Sequence, residues 1–245
     1  MNQPTTAFYS ELQKAYDTFN RLLWDGKLPQ CLITLQRKER AYGYFSRNRF
    51  GNQNGDKLHE LAMNPTYFAV VPLVEIMATL VHEQSHVWQY EFGKPGRASY
   101  HNHEWADKME SIGLMPSSTG RPGGARTGDK MADYPIEGGR FLAACRELLD
   151  DDFKIAWYDR FGQPPSAGAE PSGAALVQTA QLPAPATTVA ALTGLQMEPA
   201  PAKPTANKSN RSKYTCGCDD PVAVWGKPAL NLICGECTQR FTEIP

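Results

Sequence analysis

The sequence predicts an α+β fold in which a small sheet packs on a helix that carries a metal-binding motif. Apolar residues recur at helical spacing early in the chain, and short apolar and β-branched runs separated by turn residues follow them. Two histidines then lie one helical turn apart in LVHEQSHVWQYEF. We predict a folded domain at 1–161, a disordered Pro/Ala-rich linker at 162–211 and a small cysteine-bearing unit at 212–245.

The composition limits the class of protein. The 245 residues carry a net charge of −1, which argues against a global basic surface for nucleic acid and leaves only a local patch. The chain has no apolar run of about 18 residues, and its N-terminus lacks the pattern of a secretory leader. We therefore expect a cytoplasmic protein with reduced cysteines and no membrane partner. Cys31 and Cys145 stand alone and are expected to be small buried side chains.

The first element is a helix that ends before Gly26 and Pro29. Its apolar stripe consists of Phe8, Leu12, Tyr16, Phe19 and Leu23. Three strands are predicted next, at 31–36, 41–45 and 59–64, and the turn-rich FGNQNGDK separates the last two.

A second helix, at 72–92, begins at Pro72 and stops at Gly93. Its core side consists of Leu73, Ile76, Met77, Leu80 and Val87. A third helix, at 103–112, stops at Gly113. Its buried side chains are expected to be Trp105, Met109 and Ile112.

Residues 115–139 are rich in Gly, Pro, Ser and charge, and they predict a long irregular segment. Segments of this kind are often functional, and this one is a candidate to line or cover a cleft. Residues 140–160 return to a globular composition.

His82, Glu83 and His86 form an H-E-x-x-H motif on the second helix. Residues four apart lie on one face of a helix, so both imidazoles can reach one ion. Glu83 lies beside that face and is placed to take a proton from water without binding the ion itself. This is the arrangement of a zinc protease, with Glu83 as the catalytic residue.

A catalytic zinc ion needs a third protein ligand, and the spacing alone leaves several candidates. The extension H-E-x-x-H-x-x-G-x-x-H is ruled out because Gln89 and Phe92 occupy the required positions. The remaining candidates are His101, His103, Glu104 and Glu110.

The chain resembles the SprT-like zinc metalloproteases, the group that includes Spartan. The resemblance rests on HEQSH, the following YHNHEWADKM, the ending SIG and the upstream LAMNPTYF, and it covers residues 8–113. It implies a zincin-like fold with a small sheet packed on the motif helix. It also implies that His101, four residues before Trp105, is the third ligand, with His82 and His86 as the first two.

Three further polar residues have predicted roles. Tyr44 and Tyr100 are candidate donors to the oxyanion that forms during hydrolysis, although each is more often simply packed. His59 lies in a predicted strand and is expected to be structural.

In the C-terminal unit, fifteen residues separate the pair Cys216 and Cys218 from the pair Cys234 and Cys237. A unit this small has almost no core, so one structural zinc ion held by four thiolates would stabilise it. SprT-like proteins with a terminal zinc ribbon usually have C-x-x-C in the first pair, and here it is C-x-C. VAVWG and LNLI are predicted to be the two strands of a hairpin.

The approach to this unit is the most basic stretch of the chain. Lys203, Lys208, Arg211 and Lys213 are candidates to contact DNA phosphates. Trp225 either stacks on a base or packs in the core of the ribbon.

Two functions fit these features. The first is a zinc endopeptidase that uses one catalytic and one structural zinc ion, and the resemblance to Spartan suggests DNA-bound or DNA-crosslinked proteins as substrates. The second is a non-catalytic zinc-binding adaptor that binds nucleic acid or protein partners in transcription or plasmid maintenance. The intact Glu83 favours the enzyme.

Overall fold

The computed structural model describes residues 3–39, 41–98, 100–155, 157–162 and 211–244. These residues belong to two compact units, one up to residue 162 and one at 211–244. The predicted linker falls almost entirely on residues 163–210, outside the described residues, so the three-part division stays a prediction. None of the described helices combines the length and apolar character that crossing a bilayer requires.

The first unit begins with the predicted helix, α1 (Pro4–Leu23), followed by strand β1 (Leu32–Leu35). The whole predicted stripe of α1, from Phe8 to Leu23, is buried, which confirms the helical period. Cys31 and Cys145 are also buried, and burial raises the pKa of each thiol.

A hairpin of β2 (Gly43–Gly51) and β3 (Lys57–Met63) completes the first sheet, whose strand order is β1-β3-β2. β3 pairs in parallel with β1 and antiparallel with β2. β2 extends beyond the predicted strand at 41–45. Its second half is polar and exposed, so the sequence there shows no apolar alternation from which a strand could be predicted. A register shift between Ser46 and Phe50 further hides the strand in the sequence.

The motif helix, α2 (Leu73–Phe92), has the bounds that Pro72 and Gly93 predict. Its apolar residues are buried against α1, the sheet and α3 (His103–Ser111). Gln84 joins α2 to α1, because its amide accepts from Trp24 Nε1 at 3.0 Å and donates to the Tyr16 carbonyl at 2.9 Å. A buried amide with both ends paired fixes the rotation of α2 about its axis.

The predicted irregular segment at 115–139 contains regular structure, which corrects the prediction. Strand β4 (Leu114–Ser117) pairs antiparallel with β5 (Ala132–Pro135), and α4 (Arg140–Asp150) follows. Each strand has only four residues and includes a proline, so neither has a recognisable β pattern. The pairing brings β5 into contact with α2.

The second unit is a sheet of β6 (Ser212–Thr215), β7 (Ala223–Gly226) and β8 (Thr242–Ile244) in the order β7-β6-β8. VAVWG forms β7 as predicted, but its partner is β6. The predicted hairpin with LNLI is wrong, since that stretch contributes only the isolated bridge of Ile233 with Arg240. Residues 230–233 are largely exposed. The strand was predicted there only from the apolar composition of LNLI.

Candidate metal sites

Three imidazoles converge beside α2. Each of His82, His86 and His101 offers one ring nitrogen, and these three atoms lie within 4.8 Å of one another. The ring centroids are 5.1 Å apart for His82 and His86, 5.4 Å for His82 and His101, and 4.8 Å for His86 and His101. This spacing suits three ligands of one ion.

Two of the three rings are oriented by hydrogen bonds from the segment after α3. His82 Nδ1 lies 2.8 Å from a carboxylate oxygen of Asp133, which is on β5. His101 Nδ1 lies 3.0 Å from the carbonyl oxygen of Gly128. A carboxylate or carbonyl oxygen can only accept a hydrogen bond, so Nδ1 carries the proton in both rings. The Nε2 atoms of His82 and His101 are then the nitrogens available to an ion.

The Nε2 atom of His101 is buried and has no hydrogen-bond partner among the described residues. A buried polar atom of this kind is costly unless something else pairs with it. Because Nδ1 holds the proton, Nε2 presents a lone pair, which is what a metal ion takes from imidazole.

Burial and neighbouring charges set the protonation of the rings. Burial lowers the pKa of His86 well below its ordinary value, and burial with the charge of His82 lowers the pKa of His101 to about 4. Burial also acts to lower the pKa of His82, but the hydrogen bond to Asp133 and the charges of Glu83 and Asp133 raise it overall. His86 and His101 are therefore neutral at pH 7, and Asp133 makes His82 a stronger base and a better ligand.

Trp105 of α3 forms the wall behind the imidazoles. It is fully buried, and its ring centroid lies 5.1, 5.7 and 4.4 Å from those of His82, His86 and His101. Its Nε1 donates to Ser85 Oγ on α2 at 2.5 Å. The wall fixes the distance between α2 and α3, and therefore the distance between the first two histidines and the third.

The start of α3 is tied to α2 as well. Asn102 caps the helix by accepting from the Trp105 backbone N–H at 3.0 Å. Gln89 of α2 donates to the same Asn102 oxygen at 2.7 Å. His101 directly precedes this cap, so the pairing holds its backbone against α2.

Glu83 lines a cleft of about 490 Å³ that also exposes His82 and His101. Tyr42 and Gly43, at the start of β2, line the same cleft, as does the segment Asp129 to Asp133. Burial raises the pKa of Glu83 to about 7, which is the range in which a carboxylate exchanges protons at neutral pH. The segment predicted to line or cover a cleft thus forms one of its walls.

The other candidates for a third ligand lie elsewhere. His103 is exposed, Glu104 accepts from the Lys94 backbone N–H at 2.6 Å, and Glu110 lies 2.5 Å from Arg126. Among the described residues, the group with His82 and His86 is completed by His101.

Tyr44 and Tyr100 are not among the described residues that line the cleft. The Tyr44 hydroxyl lies 3.5 Å from Glu60, and the Tyr100 ring lies under Arg97. His59 is buried and bonded to Asn48 and Glu91, consistent with a structural role.

Asp133 and Gly128 are the residues that sequence reasoning missed. Asp133 lies 51 positions after His82, within the stretch predicted to be irregular. The signal available was general, since metal-binding histidines usually donate their second N–H to a carboxylate or carbonyl. That rule predicts a partner for the ring but not which of the acidic residues it is.

The second unit brings together cysteines. The sulfur atoms of Cys216, Cys218 and Cys234 lie within 4.8 Å of one another, and Cys218 and Cys234 are 3.7 Å apart. Cys237 interacts with Cys218 and raises its pKa, although it is not within that distance of all three. Backbone N–H groups of Cys237 and Glu236 lower the pKa of Cys234 to about 7, which favours its thiolate.

The first unit is thus a mixed α/β domain with a three-histidine group able to hold a metal ion. Residues 12–122 match the SprT-like family. The chain is also similar to an uncharacterized protein in the mucB 3′ region of Salmonella typhimurium, 52% identical over 62 residues, which is 25% of this chain and 84% of that protein. No solved structure is a significant match. The chain belongs to the SprT-like family.

Proposed function

We propose that this protein is a zinc-dependent endopeptidase. The observation that carries the proposal is the convergence of three imidazole nitrogens within 4.8 Å beside a cleft that Glu83 lines. An adaptor that used the ion only for structure would need no carboxylate at this position. Membership of the SprT-like family, which is commonly associated with metalloproteases, supports the same reading.

The residues present fit a catalytic zinc ion. Three imidazoles would hold it through nitrogen, and a three-ligand set leaves a position for water or substrate. The unpartnered Nε2 of His101 is the lone pair that such an ion would use. When bound, zinc supplies Lewis-acid chemistry, which lowers the pKa of a water molecule and polarises the scissile carbonyl.

The chain's own residues carry the proton transfers. Glu83 accepts a proton from a water molecule in the cleft as that water attacks the peptide carbonyl carbon. It then delivers the proton to the nitrogen of the leaving amine, so one carboxylate serves both steps. Asp133 and Gly128 keep the Nδ1 protons on His82 and His101, which holds both rings in one orientation.

The test is Glu83→Gln, compared with Glu91→Gln on the same helix. Glu83→Gln is expected to lower peptide hydrolysis by about 10²–10⁴-fold and to leave zinc content unchanged. Glu91 bonds His59 and lies outside the described cleft lining, so Glu91→Gln is expected to retain activity. Full hydrolytic activity of Glu83→Gln would contradict the proposal. A wild-type protein that binds zinc but cleaves no protein, with or without DNA, would favour the adaptor.

We also propose that the substrates are proteins bound or crosslinked to DNA and that the second unit is a zinc ribbon that contacts the DNA. Trp225 is 65% exposed on β7, which argues against packing in the ribbon core. Its cross-strand partner on β6 is Lys213, so an aromatic face and a cation lie side by side. Arg211 directly precedes β6, whereas Lys203 and Lys208 lie outside the described residues.

Salt dependence tests the DNA contact. Affinity for single-stranded DNA is expected to fall steeply as salt rises, and Arg211→Ala with Lys213→Ala should flatten that dependence. Affinity that does not respond to salt would contradict the DNA contact without bearing on hydrolysis.

A further inference from the structure

We infer that the tip of the β2–β3 hairpin, residues 47–58 (the hairpin tip), is a second DNA contact, located on the catalytic unit and suited to the groove of a duplex. All twelve residues of the hairpin tip are exposed, whereas His59 and the rest of β3 are buried. The inference extends the DNA part of the proposed function and does not require that Glu83 acts in hydrolysis.

The charge of the hairpin tip is unbalanced. It carries Arg47, Arg49 and Lys57 against one carboxylate, Asp56. Among the described residues, none of the three cations has a carboxylate within ion-pair distance. Asp56 accepts from the side chain of Asn52 at 2.8 Å. In a chain whose net charge is −1, this is a local concentration of free positive charge.

Nearby carboxylates on the unit are engaged elsewhere. Glu60 accepts from the Thr34 hydroxyl at 2.7 Å, and Glu91 lies 3.0 Å from His59 Nε2. Neither neutralises the arginines. Exposed cations of this kind suit an anionic polymer such as DNA, whose phosphates lie in regular rows.

The base of the hairpin tip is rigid. Asn48 has a positive φ of 46°, and its backbone N–H donates to His59 Nδ1 at 2.9 Å. Its side chain donates to the Tyr90 hydroxyl on α2 at 3.1 Å. Arg47 lies over the Tyr90 ring, with its guanidinium carbon 5.8 Å from the centroid. The bulge in β2 is therefore fixed to β3 through the backbone of Asn48 and to α2 through the side chains of Arg47 and Asn48.

The turn is ordered as well. The Asn52 side-chain oxygen accepts from the backbone N–H groups of Asn54 and Asp56, at 2.9 and 3.0 Å. Phe50 and Leu58 lie directly opposite each other, both exposed, and stiffen the ribbon as a cross-strand pair. A surface ordered before binding loses little conformational entropy when a partner binds.

The shape of the hairpin tip favours duplex DNA over other anionic polymers. A two-stranded ribbon fits the major groove of B-form DNA, whereas the major groove of A-form RNA is too deep and narrow for side chains to read. The side-chain amides of Gln53 and Asn54 at the turn supply further donors for phosphates.

The position of the hairpin tip relates the DNA to the cleft. β2 begins at Gly43, which lines the cleft, and reaches Phe50 seven residues later. At about 3.3 Å per residue, the hairpin tip begins roughly 13 Å from Gly43 at Arg47, and Phe50 lies roughly 20 Å from it along the strand. DNA held there would leave a protein attached to it within reach of Glu83.

The experiment measures binding of a labelled duplex of about 20 base pairs to the full chain in a Glu83→Gln background, so that hydrolysis plays no part. Arg47→Ala with Arg49→Ala is expected to weaken binding about tenfold and to reduce the slope of log affinity against log salt by about two. Arg47→Lys with Arg49→Lys keeps the charge and should bind nearly as the parent does. The control pair, Arg146→Ala with Lys154→Ala, removes the same charge from exposed positions elsewhere on the unit and should have little effect.

Several results would overturn the inference. If the Arg47 and Arg49 substitutions leave binding unchanged, all DNA contact belongs to the second unit. The same conclusion follows if Arg211→Ala with Lys213→Ala alone abolishes binding. An equal loss in the control pair would show only a general charge effect. Tighter binding of an RNA duplex or of polyglutamate would assign the hairpin tip to another partner. Thermal unfolding of each variant, expected to match the parent, excludes a folding defect.

Discussion

The two candidate metal sites differ in how their ligands are held. His82 and His86 project from α2 and His101 from the loop before α3, all within a well-packed domain, and hydrogen bonds orient two of the rings. The cysteines lie in a unit where, within 211–244, the buried residues are Tyr214, Cys216 and Cys234. Two of these three are themselves candidate ligands.

The same ion would therefore have different effects in the two sites. In the histidine site the fold positions the ligands before an ion arrives, so the ion can keep an open position for chemistry. In the cysteine site so little apolar surface is buried that the ion itself would hold the unit together. The four predictions that follow test this difference.

Removal of zinc is expected to produce the largest effect, and only in the second unit. A chelator should abolish the protection of backbone amides in 211–244, because small zinc-bound units of this kind unfold without metal. Amides of α2 should stay protected, since its apolar residues are packed in the core of the first unit. Hydrogen exchange read by mass spectrometry resolves the two units in one sample. Equal loss of protection in both units would show that the two sites do not differ in their dependence on the ion.

Asp133→Asn is expected to weaken zinc binding at the histidine site by about 10–100-fold. The neutral asparagine side chain would lack the negative charge that keeps the proton on Nδ1 of His82. Asp107→Asn is the control, since Asp107 is exposed on α3 and pairs with Arg126. Competition with a metal-binding dye measures both affinities. Equal affinity of the two variants would show that Asp133 does not orient His82.

The contrast between α2 and Asp133 shows how far the sequence could predict this site. The bounds of α2 followed from a regular apolar period between Pro72 and Gly93, which are local signals. The pairing of Asp133 with His82 depends on two four-residue strands that meet across the intervening loop. Such long-range pairing leaves no periodic trace in the residues that form it.

His101 falls between these two cases. Spacing alone left His101, His103, Glu104 and Glu110 open, and the resemblance to the family selected His101. The structure places it by a mutual backbone bridge with Gly128 and by the Asn102 cap. Neither contact is visible from the sequence around His101, so the choice among four residues needed the family or the fold.

Gly43→Ala is expected to destabilise the first unit by about 1–3 kcal/mol, because a Cβ atom would lie 2.8 Å from the Ala62 carbonyl oxygen and 3.2 Å from Glu83 Cγ. Hydrolysis should fall as well, since the clash displaces Glu83. Gly51→Ala, at the other end of β2, is the control, because the nearest atom would be 3.6 Å away. Urea unfolding followed by tryptophan fluorescence measures both. Similar stability of the two variants would contradict the close approach of β2 to α2.

Trp225→Ala is expected to have the smallest effect on folding and to separate binding from stability in the second unit. Trp225 is 65% exposed, so its loss should change stability by no more than about 0.5 kcal/mol. Tyr214→Ala is the contrasting variant, because Tyr214 is 1% exposed and its hydroxyl donates to the Lys227 carbonyl at 2.6 Å. If Trp225 stacks on bases, its replacement should still weaken binding of single-stranded DNA by about 1–3 kcal/mol, measured by fluorescence anisotropy. Loss of zinc affinity in Trp225→Ala would instead mean that the tryptophan supports the fold, and the exposed face of β7 would then not be a binding surface.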